Sequence, residues 1–353
     1  MSYVIRVLLD HELVLANSLY RRIYGKERPD AFFEWEFLSG PQGKAIYVGA
    51  FDKEELIGSQ AAIPLNFIGP DGVILLTAKS EDTLLDPRYR GKGLFEEMYE
   101  VLFKECRSRG VVCIWGFTYA KKPFLKIGFQ IPFDTLSGVF VIHPFKAYSY
   151  LVSLNTANKL KEKLLIFLMT SFSYMKTVFT GKNNSEIDFK LGEFSSNEKL
   201  IENIANTNNL FLIQQSKSYL DWRIIRNPYD NKYLEFIKED EKGDIIASII
   251  VNIRKGGLAY LEQIHFNSTL DYSAKINLLK VALNYIFKLK EVNLVRFWGF
   301  NTNKTNQEEL KLLEDCGFFF VNKGTGFVYI SLIDSAPDAN SILLSRLYTQ
   351  GNI

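Results

Sequence analysis

Cysteine and histidine are scarce in this chain, and no long stretch is of a single character. Cys106, Cys113 and Cys316 stand apart in apolar settings, with no Cys-x-x-Cys pair. That spacing argues against a disulfide framework or a thiolate cage for a metal, and predicts buried, reduced thiols in a reducing compartment. His11, His143 and His265 are too few and too dispersed for a histidine metal centre or a Ser-His-Asp order, so no metal is expected. With 42 Lys and Arg against 40 Asp and Glu, the net charge is +2 without a long run of either sign. Nothing in that balance calls for nucleic acid. Residues 164–169 are wholly apolar, but the uncharged stretch around them ends by Lys176, short of the roughly 20 residues a spanning helix needs. Residues 1–10 alternate like an edge strand and soon meet Asp10 and Glu12, which does not fit a basic, apolar, cleavable export signal. The expected location is the cytoplasm.

A hydrophobic content of 47% over 353 residues is ample for two cores. The most informative stretch is 84–95, Leu-Leu-Asp-Pro-Arg-Tyr-Arg-Gly-Lys-Gly-Leu-Phe, where a strand end passes through a basic turn with two glycines into an amphipathic helix. Glycine lets successive N–H groups converge on one concavity, and the helix adds the positive end of its dipole, so an anion is favoured there. Arg88, Arg90 and Lys92 supply the charge a pyrophosphate wants. The context agrees: 73–85 reads as a strand, and Leu94, Met98, Val101, Leu102 and Cys106 recur at helical spacing before Gly110.

An internal repeat organises the rest. Ile114-Trp115-Gly116-Phe117 returns as Phe297-Trp298-Gly299-Phe300, and Phe33-Glu34-Trp35-Glu36-Phe37 is echoed at near-equal spacing by Leu220-Asp221-Trp222-Arg223-Ile224. Ile127-Gly128-Phe129 and Cys316-Gly317-Phe318 follow in register, each leading to another strand-like run, 138–142 and 326–330. The same offset sets Glu81 against Glu262 and the loop 88–93 against Thr-Leu-Asp-Tyr-Ser-Ala at 269–274, which has neither glycine nor cation. One anion cradle per chain follows. Between the halves, 145–185 is rich in Leu, Phe, Tyr and Met, which predicts helices. Lys159, Lys161 and Lys163 beside its apolar run fit either a lipid surface or, preferably, a helix bridging two cores. Residues 182–185 are the expected hinge.

The loop resembles the coenzyme A loop of the GNAT acyltransferase superfamily. Arg90 and Gly93 match its pattern, Pro87 and Tyr89 its approach, 111–115 its next strand and 120–129 its short helix and turn. Phe95 stands where the last small residue of the pattern belongs, and Phe117 and Phe124 stand where many members carry an Asn and an acid-donating Tyr. The resemblance implies an α/β (α+β) fold of two tandem GNAT-like domains, each a mixed, mainly antiparallel sheet flanked by helices. The boundaries are 1–145 with the coenzyme loop, a helical linker 146–185 and a degenerate domain 186–353. It implies coenzyme A as acyl-CoA co-substrate, gripped by Arg88, Arg90, Gly91, Lys92, Gly93, Leu94 and Phe95, with the backbone of Leu84 and Leu85 in a splayed strand facing the pantetheine and thioester.

Strand alternation puts Lys79, Glu81, Thr83 and Leu85 on the face presented to coenzyme in the family, which makes Glu81 the candidate general base. A bulge would exchange it with Asp82. Tyr119 is either a substitute for the missing acid or a core tyrosine. Trp222 and Arg223, with Arg226 and Tyr229, either stack and hold a nucleotide-linked acceptor or form a helix end in the core. Glu262 and His265 would reach the acceptor only if the domains face each other. The tandem arrangement is similar to bacterial N-acyltransferases acting on nucleotide-linked amino sugars for surface polysaccharide. Alternatives are a non-catalytic acyl-CoA sensor or scaffold, and a transferase using aminoacyl-tRNA. Exposed strands in this fold often pair, so a homodimer is expected.

Overall fold

Two sheets account for most of the apolar alternation in the sequence. The computed structural model describes residues 3–154, 160–180, 190–194, 197–321 and 324–349. Along the chain the strands are β1 (Val4–Val7), β2 (Ile46–Asp52), β3 (Glu55–Ile68), β4 (Ile74–Leu85), β5 (Cys113–Thr118), β6 (Leu136–Val141), β7 (Lys190–Leu191), β8 (Leu212–Ile213), β9 (Asn231–Glu239), β10 (Ile245–Arg254), β11 (Leu258–Phe266), β12 (Leu294–Gly299), β13 (Phe319–Val321) and β14 (Gly326–Ser331). The helices are α1 (Leu13–Tyr24), α2 (Asp30–Phe33), α3 (Leu94–Ser108), α4 (Lys121–Lys126), α5 (Pro144–Leu154), α6 (Leu160–Thr180), α7 (Glu198–Asn208), α8 (Lys217–Leu220), α9 (Tyr272–Lys288) and α10 (Lys304–Asp315).

The first compact unit comprises Met1–Phe133, Phe211–Tyr229 and Thr325–Ile342. Its sheet runs β1-β2-β3-β4-β5-β14, with β8 paired to β3. All neighbours are antiparallel except β4 and β5, which are parallel. β3 is buried along nearly its whole length, as expected of a central strand covered on both faces. α3 closes one face with Leu94, Met98, Leu102 and Cys106, a stripe at helical spacing, against Ile46, Val48, Ile57, Ala78 and Ile114.

The second unit comprises Asp134–Leu210, Asp230–Gly324 and Leu343–Ile353. Its sheet runs β13-β6-β12-β11-β10-β9-β7, again with one parallel pair, β11 and β12. α9 and α10 pack Leu279, Leu283, Ile286, Leu312 and Leu313 against Val251, Leu261, Val295 and Phe297. Both sheets thus carry the mixed, mainly antiparallel pattern expected of the repeat.

The partition differs from contiguous domains at 1–145 and 186–353. β6, the last strand of the first half, pairs with β12 and β13, and β14, the corresponding strand of the second half, pairs with β5. Each half gives its final strand to the other sheet. The two segments are short and apolar with a glycine at or near their start, so each fits beside β5 or β12 equally well and the sequence pattern does not choose. Residues 211–229 likewise join the first unit.

Nor is 146–185 simply a linker. α5 and α6 belong to the second unit, where Ala147, Leu151 and Ile166 join Val139, Val141 and Leu294. Leu164, Leu165, Phe167 and Leu168 remain 48 to 58% exposed, so the apolar run is not buried in a bridge between cores. Lys159 and the expected hinge at 182–185 lie outside the described residues.

Candidate active site

The end of β4 leads directly into the anion cradle. Leu84 is buried opposite Ser59, and Leu85 lies opposite Gly58. Asp86 then caps a short turn: its carboxylate accepts from the Arg88 N–H at 3.0 Å and from Arg88 Nη2 at 2.7 Å. Those hydrogen bonds hold the Asp86 carboxyl down at about 2. Arg88, expected to face phosphate, is therefore engaged by Asp86 and lies 3.4 Å from Glu55. Lys92 donates to Tyr3 Oη at 2.9 Å and lies 4.6 Å over the Tyr89 ring. Arg90 is exposed.

Gly91 and Gly93 take left-handed φ values of +76° and +83°. A Cβ on Gly91 would meet nothing within 4 Å, so backbone conformation rather than crowding asks for glycine there. Gly93 is the N-cap of α3 and has no side chain with which to close it. Among the described residues, the N–H groups of Gly91, Lys92, Gly93, Leu94 and Phe95 make no hydrogen bond. They form a nest of donors at a helix N-terminus, suited to a phosphate. Leu94 itself is core, 1% exposed, and Phe95 packs on Tyr99 and Phe124. Their contribution to the nest is backbone.

Upstream, β4 and β5 pair only at Ala78 with Ile114 and Lys79 with Trp115. Beyond that point the strands continue to Leu85 and Thr118 without pairing to each other, which opens a wedge whose facing backbone groups are available to an extended ligand. A bulge in β4, between the pairs Ala61–Glu81 and Ser59–Leu84, accompanies the opening. At the bulge Asp82 has φ +51°. That strained conformation is held by bidentate bonds from Arg28 at 3.0 and 3.1 Å and by the Tyr47 hydroxyl at 2.7 Å. Asp82 is thus a sealed structural carboxylate, its side chain 5% exposed, whereas the side chain of Glu81 is 29% exposed.

Glu81 pairs with Lys79, itself 1% exposed. Burial lowers the Lys79 pKa, and the neighbouring charges of Glu81 and Glu36 oppose that shift. Glu36 is 8% exposed, and burial followed by the charge of Glu81 raises its carboxyl to about 8. Glu36 and Lys79 are buried charged neighbours of Glu81 that the sequence reading did not select. Their signal was a charged residue inside the aromatic Phe-Glu-Trp-Glu-Phe run and a lysine on the Glu81 face. Tyr99 Oη lies 2.8 Å from Ser80 Oγ within the same region. Tyr119 is 71% exposed and joins none of these groups.

The Trp222 cluster also lies in this unit, but as structure. Trp35 Nε1 donates to the Trp222 carbonyl at 2.6 Å, and Trp222 Nε1 donates to the Trp35 carbonyl at 2.7 Å. The rings stack at 5.6 Å. The two repeats of the aromatic motif therefore meet as a reciprocal pair, with Trp222 1% exposed and closed to a ligand. Arg223 is buried with its guanidinium 5.5 Å over Trp35, close enough to Lys79 for its charge to lower the lysine pKa. Arg226 is taken up by Asp221 at 2.7 Å.

Glu262 and His265 belong to the second unit. Glu262 is fully buried, 2.5 Å from Arg346 Nη1 and 2.9 Å from Asn252 Nδ2. His265 is 3% exposed, and burial drives its pKa down to about 3. It lines a cavity of about 40 Å³ with Thr305, Glu309, Leu312 and Leu343. Among the described residues no His, Cys, Asp and Glu cluster suited to a metal is found. No helix among them is long and apolar enough to cross a membrane.

Residues 4–131 match the acetyltransferase (GNAT) domain family. No curated protein matches the chain. Among solved structures, the chain is similar to a probable N-acyltransferase from Enterococcus faecalis, with a TM-score of 0.66 at 11% identity, covering 94% of this chain and 73% of that one. It is also similar to a GCN5-related N-acetyltransferase from Anabaena variabilis, with a TM-score of 0.63 at 8% identity and the same coverage. Eis1 from Mycobacterium abscessus gives 0.54 at 11%, covering 94% and 74%. These likenesses extend the fold over both units, and the open nest and wedge lie within or beside the matched segment. Residues 4–131 thus match the acetyltransferase (GNAT) domain model, and the solved structures share a fold with the chain over most of its length.

Proposed function

We propose that the first unit transfers the acyl group of acyl-CoA to the amine of a small acceptor, with Glu81 as the proton acceptor. The observation that carries this reading is the continuity of three features on one strand and its turn. The donor nest at Gly91 to Phe95 suits the diphosphate, the stretch of β4 that is not paired to β5 suits the pantetheine arm, and Glu81 stands where that stretch begins.

In this scheme the acceptor ammonium gives a proton to the Glu81 carboxylate. The free amine attacks the thioester carbon, the C–N bond forms, and the carbonyl electrons move to oxygen, where N–H groups of the wedge donate to the developing charge. Collapse breaks the C–S bond. The leaving thiolate takes up the proton that the acceptor nitrogen still carries, a route that does not require an acid at Phe124. Lys79 positions Glu81 through their ion pair.

Among small amines, a nucleotide-linked amino sugar is the first acceptor to test, on the family resemblance alone, because Trp222 is closed as a stacking platform. The test is thiol release from acetyl-CoA with nucleotide-linked amino sugars, free amino sugars and polyamines. Turnover with one class and a fall of about 100-fold or more in kcat for Glu81→Gln, at unchanged coenzyme affinity, is the expected result. Tight coenzyme binding without thiol release across the panel would instead make the protein a non-catalytic acyl-CoA binder.

A further inference from the structure

The helix α6 is inverted with respect to water. Its polar residues Thr170 and Ser173 are each 1% exposed and face the protein. The Thr170 hydroxyl donates to the Ile166 and Phe167 carbonyls at 2.9 Å, and Ser173 Oγ accepts from the Val141 N–H at 3.3 Å. Its large apolar residues face outward. Leu160, Leu164, Leu168, Phe172, Met175 and Val178 are 82, 56, 56, 55, 52 and 37% exposed. They recur at intervals of three or four and form one stripe about 30 Å long. Scattered exposed leucines need no explanation, but a continuous apolar stripe of this length does.

We infer that this face is the contact between two copies of the chain, paired antiparallel about a twofold axis. Area supports the assignment. At roughly 100 Å² for each half-exposed Leu or Phe, the stripe with flanking Leu165 and Phe167 offers about 800 Å² per copy, which is the share each partner contributes to a standard interface. Charge sets the direction. No Asp, Glu, Lys or Arg occurs from 164 to 175, while Lys161, Glu162 and Lys163 crowd one end. Antiparallel pairing keeps the two Lys161–Lys163 ends apart and sets each toward the carboxyl end of the partner helix, where the dipole is negative and Lys176 is the single cation. A lipid surface would take the apolar stripe too, but it would draw on cations along the helix edges. Here no Lys or Arg occurs from 164 to 175 to flank the stripe.

The experiment is the molar mass of the full chain in solution by light scattering at tens of micromolar, with Leu164→Glu/Leu168→Glu as the breaking variant. Both positions are exposed, so the variant should keep its far-UV circular dichroism and melting temperature. A dimer that becomes a monomer in the variant is expected. Direction is read by oxidative cross-linking: Leu168→Cys, near the helix midpoint, should give a disulfide dimer, and Leu160→Cys, at the end, should not. A monomeric wild-type chain overturns the inference, whether it floats with phosphatidylglycerol vesicles, which assigns the stripe to membrane, or not. Cross-linking through Leu160→Cys overturns the antiparallel arrangement.

Discussion

The two units solve the same local problem in opposite ways. In the first, Gly93 caps α3 with no side chain, and the N–H groups of Gly91 to Phe95 stay open to an external anion. In the second, Asp271 caps α9, and its carboxylate accepts from the Ala274 N–H at 2.7 Å. The protein's own anion sits where a phosphate would otherwise bind. The preceding strands repeat the contrast. Both carry a bulge, in β4 near Asp82 and in β11 at Glu262. Beside the first, Glu81 keeps an accessible carboxylate; at the second, Glu262 is sealed with Arg346 at zero exposure. The parallel pairing that stops after two positions in the first unit runs for four in the second. A shared fold therefore does not carry activity. What differs is whether the helix N-terminal donors and the strand carboxylate stay accessible to a substrate or are closed within the chain.

That contrast can be broken at chosen residues. The largest effect is expected for Glu262→Gln, which breaks the fully buried ion pair with Arg346; the second unit should lose about 3 to 5 kcal/mol in urea unfolding while acyl transfer by the remaining folded protein stays intact. Next, Gly93→Asp puts a carboxylate into the open nest at a left-handed position. Coenzyme affinity measured by calorimetry should fall about 100-fold or more, equivalent to about 2.7 kcal/mol, with little change in the second unit. Asp271→Ala removes the internal cap of α9. It should cost about 1 kcal/mol of stability without creating a second coenzyme site, because no glycine nest lies behind it.

A separate break of the comparison concerns pH. Glu36 releases its proton near 8 when folded but near the usual carboxylate value when unfolded. Between those values the folded state holds more proton than the unfolded one, so this group makes stability decline as pH rises through that window. Glu36→Gln should flatten the decline in urea midpoints measured from pH 5 to pH 8. An unchanged slope would show that Glu36 does not sit neutral in the fold.

The sequence exposes the nest because its chemistry is local. Two glycines, three cations and a following helix lie within a dozen residues, and they fold into the expected turn. Arg88 is the exception. Its commitment to Asp86, only two residues away, follows from turn geometry that residue types do not specify. The mixed sheets are legible too, since each half repeats the same strand and helix order. The exchange of β6 and β14 is not, because two equivalent apolar strands fit beside β5 or β12 alike and the choice lies in packing around them. The aromatic motif at Trp222 reads as a stacking platform or as core, and only the reciprocal indole bonds to Trp35 decide for core. Glu36 escapes notice because its raised pKa comes from burial and from Glu81, both products of the tertiary fold.

The central claim is that one unit is open to the diphosphate of acyl-CoA and the other has closed itself. Calorimetric titration of the full chain with coenzyme A tests it directly, with Gly93→Asp as the control. The account predicts one coenzyme per chain, and none measurable in the same concentration range for Gly93→Asp. Two coenzymes per chain, or unaltered binding in that variant, would contradict it.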